Sequence, residues 1–218
     1  MTIINEGNDS GCGGFLAISI TKSNLSRVSG AEFRINGIMV IGNGEGRDSI
    51  ASNVKDKSSP YKIFIRKTGK GILSVQAPVS DYDGQWLIEE GNLVFQCGGD
   101  FDGDLTISGG QLWLEAPFTF KKLIFRLENR INSRPFINDL SRLSGGAFSV
   151  DAGNAVTGTY LLAEKAEGFD GSIAVQDASG EPPAALSIGK TVHIGDSSYA
   201  LELSEGKLTL NVRKPSGR

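Results

Sequence analysis

The chain has 218 residues, of which 39% are hydrophobic and 22% charged, and this composition excludes an intrinsically disordered protein. Its formal net charge of −3 argues against binding nucleic acid through charge, and no run of apolar residues is long enough for a membrane-spanning helix. Glycine is overrepresented: 29 occur, about 13% of the chain against a usual ~7%. Together with ordinary hydrophobicity, this predicts tight turns between short strands and an all-β fold.

The N-terminal residues 1–7 carry neither the basic nor the apolar region of a signal peptide. Two explanations stay open: a cytoplasmic protein, or an internal segment of a longer secreted chain. Further along, the polar and charged residues 43–57 and the following Ser58-Ser59-Pro60 predict a long surface loop.

Apolar and polar residues alternate with period two along much of the chain, which is typical of half-buried strands. Clusters of Gly, Asn, Asp and Ser separate these segments, as tight turns require. Clear alternating pairs are Phe33/Ile35, Ile63/Ile65, Leu73/Val75, Leu105/Ile107, Leu112/Leu114 and Leu208/Leu210.

A repeat with a period of about 20 residues is the most informative feature of the sequence. Residues 84–95 align without a gap on residues 103–114 at an offset of 19, and residues 71–75 align on residues 91–95 at an offset of 20. Each unit predicts a strand, a corner with glycine and a second strand. Units stacked ~4.8 Å apart form a parallel β-solenoid with a continuous apolar interior. An antiparallel sandwich is the alternative, but the ungapped register favours the solenoid.

The alignment also predicts which side chains point inward. Trp86 aligns with Leu105 and belongs to the interior, whereas Trp113 aligns with Val94 on the opposite face. An exposed Trp113 is a candidate contact for a sugar or a protein, and a rim residue covered by a loop is the alternative. The residues predicted to point inward and to stack in register are Ile88, Leu93, Ile107 and Leu112.

Residues 67–75, KTGKGILSV, together with Tyr82-Asp83-Gly84 and the segment EGNL at 90–93, resemble the autotransporter-associated β-strand repeat. Asp81 stands where that family has threonine. The resemblance implies a right-handed parallel β-helix in the passenger region of a bacterial surface or secreted protein, without catalytic residues or a cofactor. The matching positions are Lys67, Thr68, Gly69, Gly71, Leu73, Tyr82, Gly84, Gly91 and Leu93.

Residues 135–143 predict either a short helix, capped by Ser133 with Pro135 in its first turn, or an irregular strand. Residues 199–212 predict an antiparallel hairpin that turns at residues 204–207. Such strands suit the end of a solenoid, whose open last coil needs covering.

The domain prediction follows from these segments. We expect β-helix coils over residues 1–144, with the clearest repeat at 67–115. Residues 145–218 are expected to form a β-rich antiparallel cap, or a continuation of the helix that ends in the hairpin.

Three acidic residues, Asp100, Asp102 and Asp104, alternate in a pattern that could gather Ca²⁺. An EF-type loop fails, because Leu105 stands where it needs glycine and Gln111 where it needs an acid. We therefore predict a solvated turn that joins two coils, with calcium binding left open and no metal site assigned.

A second acidic group, Asp81 and Asp83 with Glu89 and Glu90, offers paired carboxylates for sugar hydrolysis. These residues fall where the repeat places polar corners, so no catalytic residue is predicted. His193, the single histidine, lies in an alternating strand and is predicted to decorate a face.

Cys12 and Cys97 have no metal-binding spacing and are predicted to be free thiols, with a disulfide between them as the alternative.

The sequence thus predicts a non-enzymatic stalk or adhesin module at a bacterial cell surface or secreted, as the resemblance implies. We expect a glycan or a host or cell-surface protein as partner, no nucleic acid, no membrane-spanning segment and no cofactor. The chain is expected to be a monomer or a fragment of a longer protein. A polysaccharide lyase or hydrolase on a β-helix, and a trimeric fibre of the phage-tailspike kind, are the alternatives.

Overall fold

The computed structural model describes residues 4–6, 37–42, 47–50, 63–76, 79–82, 84–127 and 134–215. Within these residues the chain forms β-strands and one short 3-10 helix, Leu140–Arg142, so the predicted all-β fold is confirmed. The strands are β1 Ile4–Glu6, β2 Gly37–Gly42, β3 Arg47–Ile50, β4 Ile63–Thr68, β5 Ile72–Val75, β6 Val79–Tyr82, β7 Gln85–Ile88, β8 Asn92–Phe95, β9 Gly99–Ile107, β10 Gln111–Leu114, β11 Phe118–Arg126, β12 Ile137–Asp139, β13 Leu143–Ser144, β14 Ala147–Asp151, β15 Gly158–Lys165, β16 Ser172–Gln176, β17 Ala184–Ser187, β18 Thr191–Ile194, β19 Ser197–Ser204 and β20 Lys207–Arg213.

The described strands form two sheets. Sheet 1 has the order β1-β2-β4-β7-β9-β11-β14-β16-β17, with β6 beside β9 and β13 beside β11. Sheet 2 has the order β3-β5-β8-β10-β12-β15-β20-β19-β18. Pairs are parallel from β1 to β16 in sheet 1 and from β3 to β15 in sheet 2, and antiparallel beyond. The antiparallel sandwich is therefore wrong for β4 to β11, where every pair is parallel.

The repeat found in the sequence is the pairing register of the structure. Between β4 and β10 the chain passes from sheet 1 to sheet 2 and back, with β6 and β7 following each other in sheet 1. Aligned residues of successive units lie opposite each other. Both predicted offsets are confirmed by the pairs Trp86↔Leu105, Ile88↔Ile107, Leu93↔Leu112, Phe95↔Leu114 and Leu73↔Leu93.

The core lies between the two sheets. All four residues predicted to point inward are at most 1% exposed, and Trp86 is equally buried. The Trp86 ring of sheet 1 packs edge-on against Phe95 of sheet 2, with ring centroids 5.5 Å apart, and Phe95 packs on Phe118 at 4.6 Å. Alternation with period two thus places every second side chain of both sheets in one shared interior.

Three-residue corners at 69–71, 89–91 and 108–110 connect sheet 1 to sheet 2 in successive repeats, and we call them the glycine corners. Gly91 has φ +63°, which L side chains rarely adopt, and a Cβ on it would overlap the carbonyl oxygens of Gly69 and Gly71. Glycine is required here because successive corners stack closely.

The segment 135–143 forms β12, the 3-10 helix and the start of β13, so the irregular strand describes it better than the short helix. Asp139, not Ser133, caps the 3-10 helix, with its carboxylate accepting a hydrogen bond from Ser141 N at 3.0 Å. Ser133 lies outside the described residues. The helix-start signals at Ser133 and Pro135 do not decide the structure here. Strand pairing does, because Ile137 pairs with Leu112 on one side and with Ala163 on the other.

Antiparallel pairing dominates the C-terminal residues. β19 and β20 pair along the segment predicted as a hairpin, with Tyr199 opposite Val212. Glu205 and Gly206 both have positive φ, 51° and 74°, as a two-residue hairpin turn of the I′ kind requires. The boundary between residues 144 and 145 stays a prediction.

Candidate functional site

Trp113 is the one large apolar side chain that the structure exposes within its described part, at 40%. It lies on the outer face of sheet 2 opposite Val94, while Leu112 and Leu114 on either side point inward. The amide of Asn138 nearby is engaged with the backbone, since it accepts from Leu114 N at 2.8 Å and donates to Leu114 O at 3.1 Å. Of the two alternatives for Trp113, an exposed ring or a rim residue covered by a loop, the structure shows the exposed ring, and its contact with a ligand stays a prediction.

An open cleft of about 350 Å³ lies at the glycine corners, lined by Thr68, Glu89, Glu90 and Ser108. Successive repeats are joined here by backbone hydrogen bonds, from Glu89 N to Lys67 O and from Ser108 N to Ile88 O, both 2.9 Å. The cleft therefore runs along stacked, equivalent positions of three repeats.

Glu89 in this cleft is held by Arg66. The guanidinium Nε donates to Glu89 Oε2 at 2.6 Å, and this hydrogen bond and charge raise the pKa of Arg66. The carboxylate of Glu89 is thus engaged by a neighbouring cation from the adjacent strand β4. Glu90 is exposed, while the side chain of Asp81 and all of Asp83 lie outside the described residues.

Lys67 is a buried cation that the sequence did not predict. Its side chain is 0% exposed, and its Nζ donates to Thr68 O at 2.6 Å, Gly69 O at 2.7 Å and Glu90 O at 3.2 Å. The register places Lys67 opposite Ile88, in a row of inward-pointing aliphatic residues. The burial of Lys67 could have been predicted from its alignment with Ile88, which puts a lysine at an apolar position of the repeat.

Asp100, Asp102 and Asp104 do not form the predicted turn, because all three lie in strand β9. Pairing with β6, β7 and β11 extends this segment in spite of its acidic and glycine residues. The ladder between β9 and β11 shifts register between Phe101 and Asp104, so the three aspartates do not follow one regular face of the strand. Among the described residues, no group of three or more His, Cys, Asp and Glu side chains is arranged to hold a metal ion.

The remaining reactive side chains lie apart from one another. His193 is exposed on β18, opposite Ser198. Cys97 is a half-buried free thiol whose Sγ lies 3.1 Å from Gln76 O. Cys12, the other cysteine, lies outside the described residues.

Two buried tyrosines of the C-terminal strands form hydrogen bonds through their hydroxyl groups. The Tyr160 hydroxyl donates to Val156 O and accepts from Val156 N, both at 2.9 Å, and burial raises the pKa of Tyr160. The Tyr199 hydroxyl donates to Asp177 Oδ2 at 3.3 Å. Burial of Asp177 raises its pKa, but hydrogen bonds, chiefly from Ser179, outweigh this and lower the pKa overall.

The described part of the chain contains no helix that is long and apolar enough to cross a membrane. Comparison with known proteins identifies no relative: no protein-family model, no curated protein and no solved structure matches this chain. Support for a function therefore comes from the geometry above and from the motif at residues 67–95.

Proposed function

We propose that this chain is a segment of a right-handed parallel β-solenoid that serves as a stalk or adhesin module of a bacterial surface protein. The observation that carries the proposal is the strand order. Strands β5, β8 and β10 are parallel neighbours in sheet 2, while β4, β7 and β9 are parallel neighbours in sheet 1. A chain that alternates between two sheets and adds one parallel strand to each per repeat winds as a solenoid, and parallel crossovers are overwhelmingly right-handed.

The pairing continues beyond the repeat seen in the sequence. Leu105 pairs with Leu123, Leu123 pairs with Phe148, and Phe148 pairs with Ile173. Each added repeat contributes similar contacts to its neighbour, so stability grows along the axis. Such a regular rod suits the task of holding a binding surface away from a cell.

The antiparallel strands support a cap at the C-terminal end. Parallel pairing stops at β16 in sheet 1 and at β15 in sheet 2, where β17 and β20 pair antiparallel instead. Antiparallel hairpins cover the apolar interior of a last coil and shorten the unpaired edges.

The geometry favours the stalk or adhesin over an enzyme. The described carboxylates of the cleft are occupied by Arg66 or exposed, whereas the outer face of sheet 2 presents Trp113. A flat exposed aromatic ring suits stacking on a sugar or packing on a cell-surface protein. We therefore place the contact with a glycan or protein partner at Trp113 and assign no catalytic residue.

A deletion tests the architecture. Removing residues 84–102, one complete repeat, joins equivalent positions and should leave a folded protein with a single cooperative thermal transition. Removing only residues 84–93 deletes β7 and connects β6 of sheet 1 directly to the remainder of β8 in sheet 2. This variant should lose the cooperative transition. Loss of folding in both variants, or retention in both, would contradict the solenoid.

Binding and activity tests address the function. We expect the purified chain to be a monomer by light scattering and to bind at least one component of a glycan array or of whole cells. Trp113→Ala should lower that binding at least tenfold, while Lys121→Ala, an exposed change on sheet 1, leaves it unchanged. Release of reducing ends or unsaturated products from pectin or alginate would overturn the non-enzymatic proposal, and a trimer would favour the fibre.

A further inference from the structure

The ammonium of Lys67 is enclosed by main-chain oxygens from two repeats. Thr68 O and Gly69 O belong to the end of β4 and its glycine corner, while Glu90 O belongs to the corner of the next repeat. An ammonium has three N–H donors, and the three carbonyls accept from it at 2.6, 2.7 and 3.2 Å. The side chain thus bridges two stacked corners.

We call these three carbonyl oxygens the carbonyl cage, and its two corners contain glycines at critical positions. Gly69 and Gly91 both have positive φ, 74° and 63°, which turns the peptide groups of the two corners toward each other. Because Gly91 carries no Cβ, its backbone approaches the carbonyls of Gly69 and Gly71, and Asn92 N donates to Gly71 O at 3.1 Å. The close approach of the two corners therefore depends on glycine at position 91.

The equivalent position one repeat later lacks the cation. Ile88 occupies the place of Lys67 in the ladder, and Ser108 of the following corner bonds to Ile88 O through its backbone N–H. Carbonyl oxygens respond to a positive charge with short, strong hydrogen bonds. The backbone bond itself is the same at both corners, since Glu89 N donates to Lys67 O and Ser108 N to Ile88 O, both at 2.9 Å. What the ammonium adds at the first corner is its three bonds to Thr68 O, Gly69 O and Glu90 O.

We propose that the corner at residues 68–69 and 90 is a cation-binding site built from main-chain carbonyls, and that the tethered ammonium of Lys67 is its resident cation. Its ligand class is a primary ammonium ion. The lysine side chain binds from inside and locks the two repeats together. This site does not depend on the surface function proposed above.

Chemical rescue tests the site. Lys67→Ala deletes Cγ, Cδ, Cε and Nζ, which are the atoms of n-propylammonium. At tenfold excess over its Kd, n-propylammonium should raise the Tm of Lys67→Ala by about 3–6 °C relative to NaCl of equal ionic strength. The wild-type Tm should not change. An equal rise with neutral 1-propanol would show cavity filling without cation recognition and would overturn the proposal.

A second pair of variants decides the question if Lys67→Ala does not fold. Lys67→Met keeps most of the aliphatic side chain but removes the charge. Ile88→Met is the control, because it places the same side chain at the paired position on β7. We expect Lys67→Met to melt at least about 5 °C below Ile88→Met, with faster hydrogen exchange at the amides of Glu89 and Asn92. Equal or higher stability of Lys67→Met would refute the cage.

Discussion

Leu112→Ala is the sharpest test of the ladder, because Leu112 lies between two paired strands. Its side chain is 1% exposed, and it sits opposite Leu93 on β8 and Ile137 on β12. Its backbone N–H donates to Phe136 O at 2.8 Å. The backbone on the β8 side is therefore fixed by a register of four residue pairs that does not involve the leucine side chain.

The expected cost follows from the cavity that the substitution leaves. Truncating a buried leucine to alanine costs about 2–5 kcal/mol, depending on how far the surroundings collapse. Since the strand on the β8 side is held in place, collapse from that side is small, and we expect about 3–5 kcal/mol. At about 2–4 °C per kcal/mol for a chain of this size, the Tm should fall by about 6–20 °C.

Leu87→Ala is the matched control, because it makes the same chemical change on the outer face of β7. Leu87 is half-buried and stands opposite Arg66 and Thr106. Urea unfolding followed by circular dichroism should give a loss of about 1 kcal/mol for Leu87→Ala. A loss below about 0.5 kcal/mol for Leu112→Ala, or a larger loss for Leu87→Ala, would refute the register.

Three further predictions concern the corner, metal and pH. Gly91→Ala should cost about 3 kcal/mol or more in urea unfolding, against about 1 kcal/mol for Gly168→Ala, because both have positive φ but only Gly91 meets backbone atoms. A chelator should leave the Tm unchanged, and a calcium-dependent rise of several degrees would revive a site on β9. The folded-state pKa of Asp177 lies below its ordinary value of 3.8, so its contribution to stability is present above that value and is lost as pH falls. The Tm of Asp177→Asn should therefore fall less steeply than the wild-type Tm as the pH is lowered below about 4. An equally steep fall in both proteins would contradict this.

The register between residues 71 and 114 was predictable because three features coincide there. The repeats have nearly equal length, the glycine corners each have three residues, and apolar residues alternate on both strands. Since aligned residues of successive repeats lie opposite each other on parallel strands, a sequence offset translates into a pairing register. After β10 the next strand of sheet 2 lies farther along the chain, with Leu112 paired to Ile137, and the offset of the earlier repeats no longer detects the pairing.

The errors share one physical cause, which is that strand pairing overrides local signals. Asp100, Asp102 and Gly103 favour a turn locally, but β9 is paired before and after them, and Asp102 and Gly103 are accommodated as a register shift between β9 and β11. Lys67 carries the charge of a surface residue, yet nearby carbonyls accept its three N–H groups and allow burial. A single sequence does not display the strand partners of β9 or the contact of Lys67 with Glu90 O, because these come from other repeats.

The pairing between β10 and β12 has the shortest register in the parallel part of sheet 2. Backbone pairing is reduced to Leu112 and Ile137, and the Asn138 amide takes over both polar groups of Leu114. The next residue, Asp139, is 7% exposed and bonds within its own 3-10 helix, so it contributes no apolar side chain to the ladder. Local opening favours regions with few apolar contacts. Hydrogen exchange should therefore separate the residues before this junction from those after it, and uniform protection across residues 111–140 would contradict that division.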